Sequence, residues 1–366
     1  MTAFPIDNKW VLPHVAALDG YHAVEPVPGG PQVLKMDLNE CQAPPSPQVL
    51  SALRAAVAQD ATLNWYPDSS CTALRESIGR YLDLPAGFAL VANGSNMAME
   101  LIARAFLTKD DSVLIVSPVY AVFGVQCKLQ QARIESFQFS KAFAPDFDEL
   151  LTKGGAHKII YLANPNNPTG VGYPRERIQA LLEKRRDALV VLDEAYVEYY
   201  GESSITWTLR YQNLLVLRSF SKAFSLAGMR CGYVVAQPEL LRALERVLAP
   251  WAVSGLTQVA ALAAMEDLPY MRETVAECGR ARQTIIAGLK ELGFVAHDTR
   301  ANFIIWQVGD PKRAVQALAA RNVYVSNKDA IPQMKGCLRV TVGNATQSKQ
   351  FLGIVQELRA KGLVEP

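Results

Sequence analysis

The chain has 366 residues, half of them hydrophobic and a fifth charged, a composition that buries a large core and leaves material for two or three domains. Thirty-seven basic against 35 acidic residues leave a net charge of +2, so no electrostatic footprint points to nucleic acid or to an anionic membrane as partner. No run approaches the roughly 18 apolar residues that span a bilayer, and the opening Met1-Thr-Ala-Phe-Pro-Ile-Asp7 lacks a basic stretch followed by an apolar core, so a cytoplasmic protein is expected.

The six cysteines (Cys41, Cys71, Cys127, Cys231, Cys278 and Cys337) are scattered, with no pair at CxxC spacing, which argues against a zinc site and a disulfide framework and fits a reducing compartment. The four histidines (His14, His22, His157 and His297) are isolated, with none at i, i+4 around a carboxylate. They read as surface or structural residues, and no metal is expected.

Residues 1–40 are rich in Pro and Gly (Pro26, Pro28, Gly29, Gly30, Pro31) and read as an arm with little regular structure. Pro44-Pro-Ser-Pro47 opens a helix whose apolar positions Val49, Leu50, Leu53, Ala56 and Val57 recur at helical spacing. Asn64-Trp-Tyr-Pro-Asp68 is a turn with two aromatics, and a second helix follows with Leu74, Ile78, Tyr81 and Leu82 on one face. Val91-Ala-Asn-Gly-Ser-Asn96 runs from a strand end through a glycine turn into a helix from Met97 to Leu107. That layout offers free backbone N–H groups to an anion; it is equally a plain turn with Ser95 or Asn96 as N-cap.

From there the chain alternates. Apolar strands are expected at Val113–Val116, Lys158–Ala163, Ala188–Leu192, Leu214–Leu217 and Gly232–Ala236, with a helix at Arg175–Lys184. Continuous apolar strands separated by helices predict a mainly parallel sheet covered on both faces. Residues 238–265 read as helical. Beyond about 270 the pattern becomes a long helix (Met271–Leu292), a strand (Phe303–Trp306), a helix near 311–320, strands at Asn322–Val325 and Cys337–Val342, and a terminal helix (Gln347–Lys361), a smaller α+β domain on which the N-terminal arm packs. The expected division is an arm over 1–43, a large domain over 44–265 and a small domain over 266–366.

Four polar clusters fall at strand ends: Asn93–Asn96, Asn164–Gly170, Asp193–Tyr196 and Ser219–Arg230. The loops beyond the strand ends are where such a sheet builds a site. Lys222, in Arg218-Ser-Phe-Ser-Lys-Ala-Phe-Ser-Leu-Ala-Gly-Met-Arg230, is by itself either a surface lysine in a polar turn or a Schiff-base lysine among phosphate-gripping groups. Together the clusters supply backbone donors, an Asn amide, a carboxylate, and an amine with serines and an arginine. A ligand with a phosphate, an aldehyde, a phenolic oxygen and a ring nitrogen uses all four, and that ligand is pyridoxal phosphate.

The sequence resembles the fold type I pyridoxal-phosphate aminotransferases, the aspartate aminotransferase superfamily. The resemblance rests on Asn164-Pro-Asn-Asn-Pro-Thr-Gly170, on Asp193-x-x-Tyr196, and on Ser219-x-Ser-Lys222 with Arg230 eight positions on. Within the superfamily it is most similar to histidinol-phosphate aminotransferases, through Ser221–Gly232, Trp65-Tyr-Pro-Asp68, Ala301-Asn-Phe303 and Cys337-Leu-Arg-Val-Thr-Val-Gly343. The resemblance implies a seven-stranded, mainly parallel sheet sandwiched by helices plus the smaller α+β domain, pyridoxal 5'-phosphate as cofactor, and a homodimer with shared active sites. It implies amino transfer between histidinol phosphate, or a related amine or amino acid, and 2-oxoglutarate, in histidine or other amino-acid biosynthesis.

Carried over position by position, the resemblance makes Lys222 the Schiff-base lysine and proton carrier and sets Asp193 against the pyridine nitrogen. Asn167 and Tyr196 face the phenolic oxygen. The backbone of Ser95 and Asn96, with Ser219, Ser221 and Arg230, holds the phosphate. Tyr120 stacks on the ring or is an ordinary core aromatic, and Tyr66 reaches the cofactor of the neighbouring subunit. Arg339 binds the substrate's anionic tail, with Tyr21 and Asn39 as further substrate contacts and Glu40 near the pocket mouth.

Three positions depart from the histidinol-phosphate pattern. Val323-Tyr-Val-Ser326 lacks the arginine that those enzymes usually carry after Val-x-Val. The glycine loop continues as Asn96-Met97 instead of Asp-Glu, and Asn39-Glu-Cys-Gln42 replaces Asn-Glu-Asn-Pro. Losing a charged donor to phosphate costs about 1.5–3 kcal/mol; Arg300 and Lys328 are the candidate replacements. The departures leave open an aromatic or specialised amino-acid aminotransferase and a phosphothreonine-type decarboxylase.

Overall fold

A computed structural model describes residues 10–18, 33–59, 63–139 and 143–366. Two sheets organise these residues. The larger has seven strands: β2 (Ala89–Ala92), β3 (Ser112–Ser117), β4 (Arg133–Gln138), β5 (Ile159–Ala163), β6 (Leu189–Asp193), β7 (Leu214–Ser219) and β8 (Gly232–Val235), in the order β2-β8-β7-β6-β5-β3-β4. The run β4, β3, β5, β6, β7 is parallel, and β8 is antiparallel to both of its neighbours.

The central strands are apolar along their middles because both faces are covered, with polar residues confined to their ends. Successive side chains alternate faces: Leu114, Val116, Ile160, Leu162, Val190, Leu192 and Val216 join one core with the helices Pro47–Val57, Thr72–Leu82, Arg175–Lys184 and Gly255–Glu266. Val113, Ile115, Ile159, Tyr161, Val191 and Leu215 join a second core with Gly94–Phe106, Val122–Leu129 and Pro238–Glu245.

The smaller sheet contains β1 (Leu34–Met36), β9 (Ala296–His297), β10 (Phe303–Gln307), β11 (Val323–Asn327) and β12 (Cys337–Thr341), ordered β1-β11-β12-β10-β9. Its core is shared with the helices Leu268–Glu291, Pro311–Ala319 and Ala345–Ala360. β1 pairs in parallel with β11, Lys35 opposite Tyr324. The arm thus carries a strand that the Pro/Gly reading missed, and it contributes an edge to the small sheet. The strand expected at 322–325 runs two residues further, to Asn327, and the helical stretch 238–265 is two helices broken at 246–254.

Two glycines fix where the large sheet meets its first buried helix. Gly94 has φ +77°, and a Cβ there would lie 2.6 Å from the Arg230 guanidinium. A Cβ at Gly232 would lie 2.6 Å from the Ser95 nitrogen and 2.9 Å from the Arg218 carbonyl. Gly232→Ala therefore forces apart the start of β8 and the N-terminus of the helix Gly94–Phe106, and we expect a loss of about 1–3 kcal/mol in urea unfolding; an unchanged midpoint contradicts the packing described.

Candidate active site

Beyond the C-terminal ends of β5, β6 and β7 lies a cavity of about 770 Å³, closed on its far side by β11, β12 and the strap after β1. This is the crevice in which a parallel sheet holds its ligand, and the volume lies within the range of small-molecule sites. The lining contains Ser95, Asn96, Tyr120, Asn167, Asp193, Tyr196, Ser219, Ser221, Lys222, Arg230, Asn39 and Arg339. With Glu40, thirteen of the fifteen residues given roles in the sequence thus converge. Tyr21 lies outside the described residues. Tyr66 is outside this cavity, 78% exposed, and its ring stacks on Trp251 at 4.4 Å.

One end is a cradle for an anion. The helix runs Gly94–Phe106, so Ser95 and Asn96 lie in its first turn instead of at the N-cap; the N-cap is Asn93, which makes no side-chain cap and leaves the first N–H groups unsatisfied by that residue. Arg230, itself at φ +53°, lays its guanidinium over Gly94; its Nη1 donates to Ser221 Oγ at 3.3 Å and to the Ala227 carbonyl at 2.9 Å. Ser219 Oγ accepts from the Ser221 N–H at 3.1 Å. A helix N-terminus, two hydroxyls and a guanidinium together fit a phosphate.

In the middle, Asp193 ends β6. Its Oδ1 accepts from the Ala195 N–H at 3.0 Å and its Oδ2 from the Tyr161 hydroxyl at 3.0 Å. Burial pushes the Asp193 carboxyl up to about 6, and those two donors, with Lys222, hold it from rising further. Tyr161 is fully buried on β5, stacked on Phe123, and burial beside Asp193 keeps its phenol protonated as a donor. The pair follows from the register: Tyr161 stands opposite Val191, and Asp193 is two residues on, on the same face.

Lys222 Nζ donates to the Leu38 carbonyl at 3.1 Å and lies 5.6 Å from the Tyr196 ring centre. Burial first, then the charge of Arg339, lowers its pKa to about 8, so a substantial fraction is neutral near physiological pH. The Tyr196 hydroxyl accepts from Asn39 Nδ2 at 2.9 Å and from Asn167 Nδ2 at 3.4 Å. Arg339, on β12, donates to Asn167 Oδ1 at 2.6 Å and to the Asp37 carbonyl at 2.7 Å.

The strap 37–40 is thus joined to both sheets. The Asn39 N–H donates to Thr341 Oγ1 at 3.0 Å, and the Asn39 carbonyl accepts from Asn302 Nδ2 at 3.0 Å. Glu40 lines the cavity while paired with Lys35. Behind the site, Arg218 on β7 donates to Glu194 at 3.0 Å, Glu198 at 2.8 Å and Ser203 at 2.8 Å, a buried network tying the ends of β6 and β7 together.

The model of the family described as aminotransferase class I and II matches residues 31–355. The chain belongs to the class I and II aminotransferases. It is 31% identical over 327 residues to a histidinol-phosphate aminotransferase of Ruminiclostridium cellulolyticum, covering 88% of this chain and 91% of that protein. It is 33% identical over 336 residues to a dihydroxyacetone phosphate transaminase of Campylobacter jejuni subsp. jejuni, covering 90% and 91%. Among solved structures, the histidinol-phosphate aminotransferase of Sinorhizobium meliloti, in complex with pyridoxal-5'-phosphate, superposes with a TM-score of 0.86 at 23% identity, over 98% of this chain and all of that one. This last likeness establishes the shared fold.

Against this family background, the residues that sequence reasoning missed are the ones that act on other residues. Tyr161 sits inside an apolar strand and carries no motif signal. Thr341 and Asn302 serve a strap whose path the sequence does not reveal. Of the two candidate replacements for the missing arginine, Lys328 lines the cavity and Arg300 is exposed outside it. Among the described residues no group of three or more His, Cys, Asp or Glu side chains is arranged for a metal.

Tyr161→Phe removes one of the two donors to Asp193. Because the folded-state pKa of that carboxyl is raised, folding is penalised above about pH 6 and relieved as pH falls toward 4. The variant apoprotein should lose about 1.5–3 kcal/mol at pH 8, and the deficit should narrow at pH 5 as Asp193 takes up a proton. A deficit independent of pH in urea titrations contradicts the coupling.

Proposed function

We propose that this aminotransferase uses pyridoxal 5'-phosphate and takes as amino donor a 2-aminoalkyl phosphate, histidinol phosphate first among them, with 2-oxoglutarate as acceptor. The observation that carries the reading is the cavity's charge. Its described lining has four cationic side chains, Lys222, Arg230, Lys328 and Arg339, against the two carboxylates of Asp193 and Glu40. One cationic group, Arg230, belongs to the phosphate cradle. Arg339 and Lys328 lie with β11 and β12 at the other end.

The relatives support the substrate class. Histidinol phosphate is an amine whose nitrogen-bearing carbon sits one carbon from a phosphate ester. Dihydroxyacetone phosphate is a ketone with its carbonyl in the same relation to phosphate. Neither has a carboxylate on that carbon, so both present a phosphate where an ordinary amino acid presents its α-carboxylate.

In this reading Ser95, Asn96, Ser219, Ser221 and Arg230 hold the cofactor's phosphate. Tyr120 packs on the ring, Asp193 faces the ring nitrogen, and Asn167 and Tyr196 face the phenolic oxygen. Bound there, the cofactor supplies an electron sink for the carbon next to the amine. Lys222 Nζ, partly neutral through its lowered pKa, takes the proton from that carbon and returns it on the other side of the transfer. Asp193, kept ionised by Tyr161 and Ala195, holds a proton on the ring nitrogen. Arg339 binds the donor's phosphate and, in the second half of the cycle, a carboxylate of the acceptor.

We also infer a homodimer. Trp65 (73% exposed), Tyr66 and Trp251 (47%) form an aromatic face outside the chain's own cavity, which agrees with Tyr66 serving a neighbouring site. An aromatic amino acid is the second reading for the donor, favoured by Ser326 in place of arginine.

The test is the half-reaction. Holoenzyme mixed with histidinol phosphate alone should convert its cofactor to the amine form, read by absorbance, and 2-oxoglutarate should reverse the change. A response to phenylalanine and none to histidinol phosphate replaces the first reading by the second. Lys222→Ala should retain cofactor and lose turnover by more than a thousandfold; appreciable transamination by that variant contradicts its role.

A further inference from the structure

Asn39 is 1% exposed, and each of its polar groups is engaged inside the protein. Its N–H donates to Thr341 Oγ1 at 3.0 Å, and its carbonyl accepts from Asn302 Nδ2 at 3.0 Å. Its side-chain oxygen accepts from Thr341 Oγ1 at 3.4 Å, and its side-chain nitrogen donates to the Tyr196 hydroxyl at 2.9 Å. The resemblance makes Asn39 a substrate contact; a side chain so committed is turned inward instead. The exchange with Thr341 also decides which way the amide faces: with the oxygen held there, the nitrogen is left to Tyr196. The backbone of Asn39 is left-handed, at φ +56°, a conformation that asparagine tolerates better than most residues.

The consequence falls on Tyr196. A phenol hydroxyl has one proton to give and two lone pairs with which to accept. Asn39 and Asn167 take both lone pairs, and among the described residues no acceptor takes the proton. The ring is buried and held edge-on by Phe303 at 5.5 Å, so the hydroxyl is fixed in place. Burial raises the pKa of the phenol, and the charge of Arg339 and then the Asn39 donor hold it from rising further. A hydroxyl that accepts hydrogen bonds is polarised into a better donor.

We propose that Asn39 is a positioning residue: held by Thr341, it directs the Tyr196 proton into the cavity, toward the phenolic oxygen of the cofactor. The identity of that target rests on the reading above. Thr341 is fully buried and follows Arg339 by two residues on β12, so the two share a face of the strand. β12 thereby holds both groups assigned to the phenolic oxygen, Asn167 through Arg339 and Tyr196 through Thr341 and Asn39.

Two measurements test this, one on the full chain without cofactor and one on the holoenzyme. In the first, the tyrosines carry carbon-13 at Cζ and Tyr196→Phe identifies the Tyr196 resonance; Asn39→Gly should shift it. Glycine keeps the left-handed backbone and removes the amide. In the holoenzyme, a donor on the phenolic oxygen draws off negative charge that otherwise holds a proton beside it. Asn39→Gly should therefore raise the pH midpoint of the cofactor's absorbance change by roughly 0.4–1 pH unit, the worth of one hydrogen bond. Thr341→Val should raise it likewise, and Thr341→Ser should keep the native midpoint. In a Tyr196→Phe background, Asn39→Gly should add nothing. A Tyr196 resonance unmoved by Asn39→Gly, or the same midpoint shift in the Tyr196→Phe background, overturns the proposal. A resonance that moves while Tyr196→Phe leaves the holoenzyme midpoint unchanged keeps the Asn39–Tyr196 pairing, removes Tyr196 from the phenolic oxygen, and so overturns the cofactor half.

Discussion

The structure depends on confining more positive than negative charge in one cavity. Lys222, Arg230, Lys328 and Arg339 face Asp193 and Glu40 across a space of about 770 Å³. Charges of one sign in a partly buried space raise each other's cost and depress each other's pKa values. Both lysines show this, at about 8 and about 7, and for each the charge of Arg339 is the next cause after burial. In the proposed function, anions complete the cavity: a phosphate over the helix N-terminus at one end and a second anionic group at the other. The lowered pKa of Lys222 is a by-product of the same confinement, and it suits this amine to the nucleophile and base role proposed for it.

Holding that arrangement takes two kinds of support. Within the large sheet, the Arg218 network keeps β6 and β7 aligned at the ends from which Asp193 and Ser219 project. Breaking one member of such a buried ionic group strands its partners, which is why these networks are costly to interrupt. Between the lobes, the strap 37–40 supplies backbone carbonyls to Lys222 and Arg339 and an Asn39 amide to Tyr196. Two backbone carbonyls of the strap thereby help to orient both of these cations that line the cavity.

Much of this was legible in the sequence, for reasons that differ by residue. The strands β3, β5, β6 and β7 are buried on both faces, so they read as unbroken apolar runs, and the polar residues that end them stand out. Asn167, Asp193, Tyr196, Ser219, Lys222 and Arg230 were visible on that ground. β4 was not: it is the edge strand, and its Arg133, Glu135 and Gln138 give no apolar run. β1 was hidden behind the Pro/Gly segment that precedes it. Tyr161 was hidden because a tyrosine in an apolar strand looks like core until its hydroxyl is seen to meet Asp193. Lys328 and Arg300 were equal candidates by sequence; only the β11–β12 pairing separates the one inside the cavity from the one outside. The substrate end is less legible than the cofactor end because it is assembled from short segments far apart in the chain, 37–40, 326–331 and 339.

The central claim is that the cavity demands two anions. Titration of the apoprotein with inorganic phosphate by calorimetry measures this directly, repeated after loading with pyridoxal phosphate. The account predicts two phosphates per chain in the apoprotein and one in the holoenzyme. A holoenzyme that binds none contradicts it.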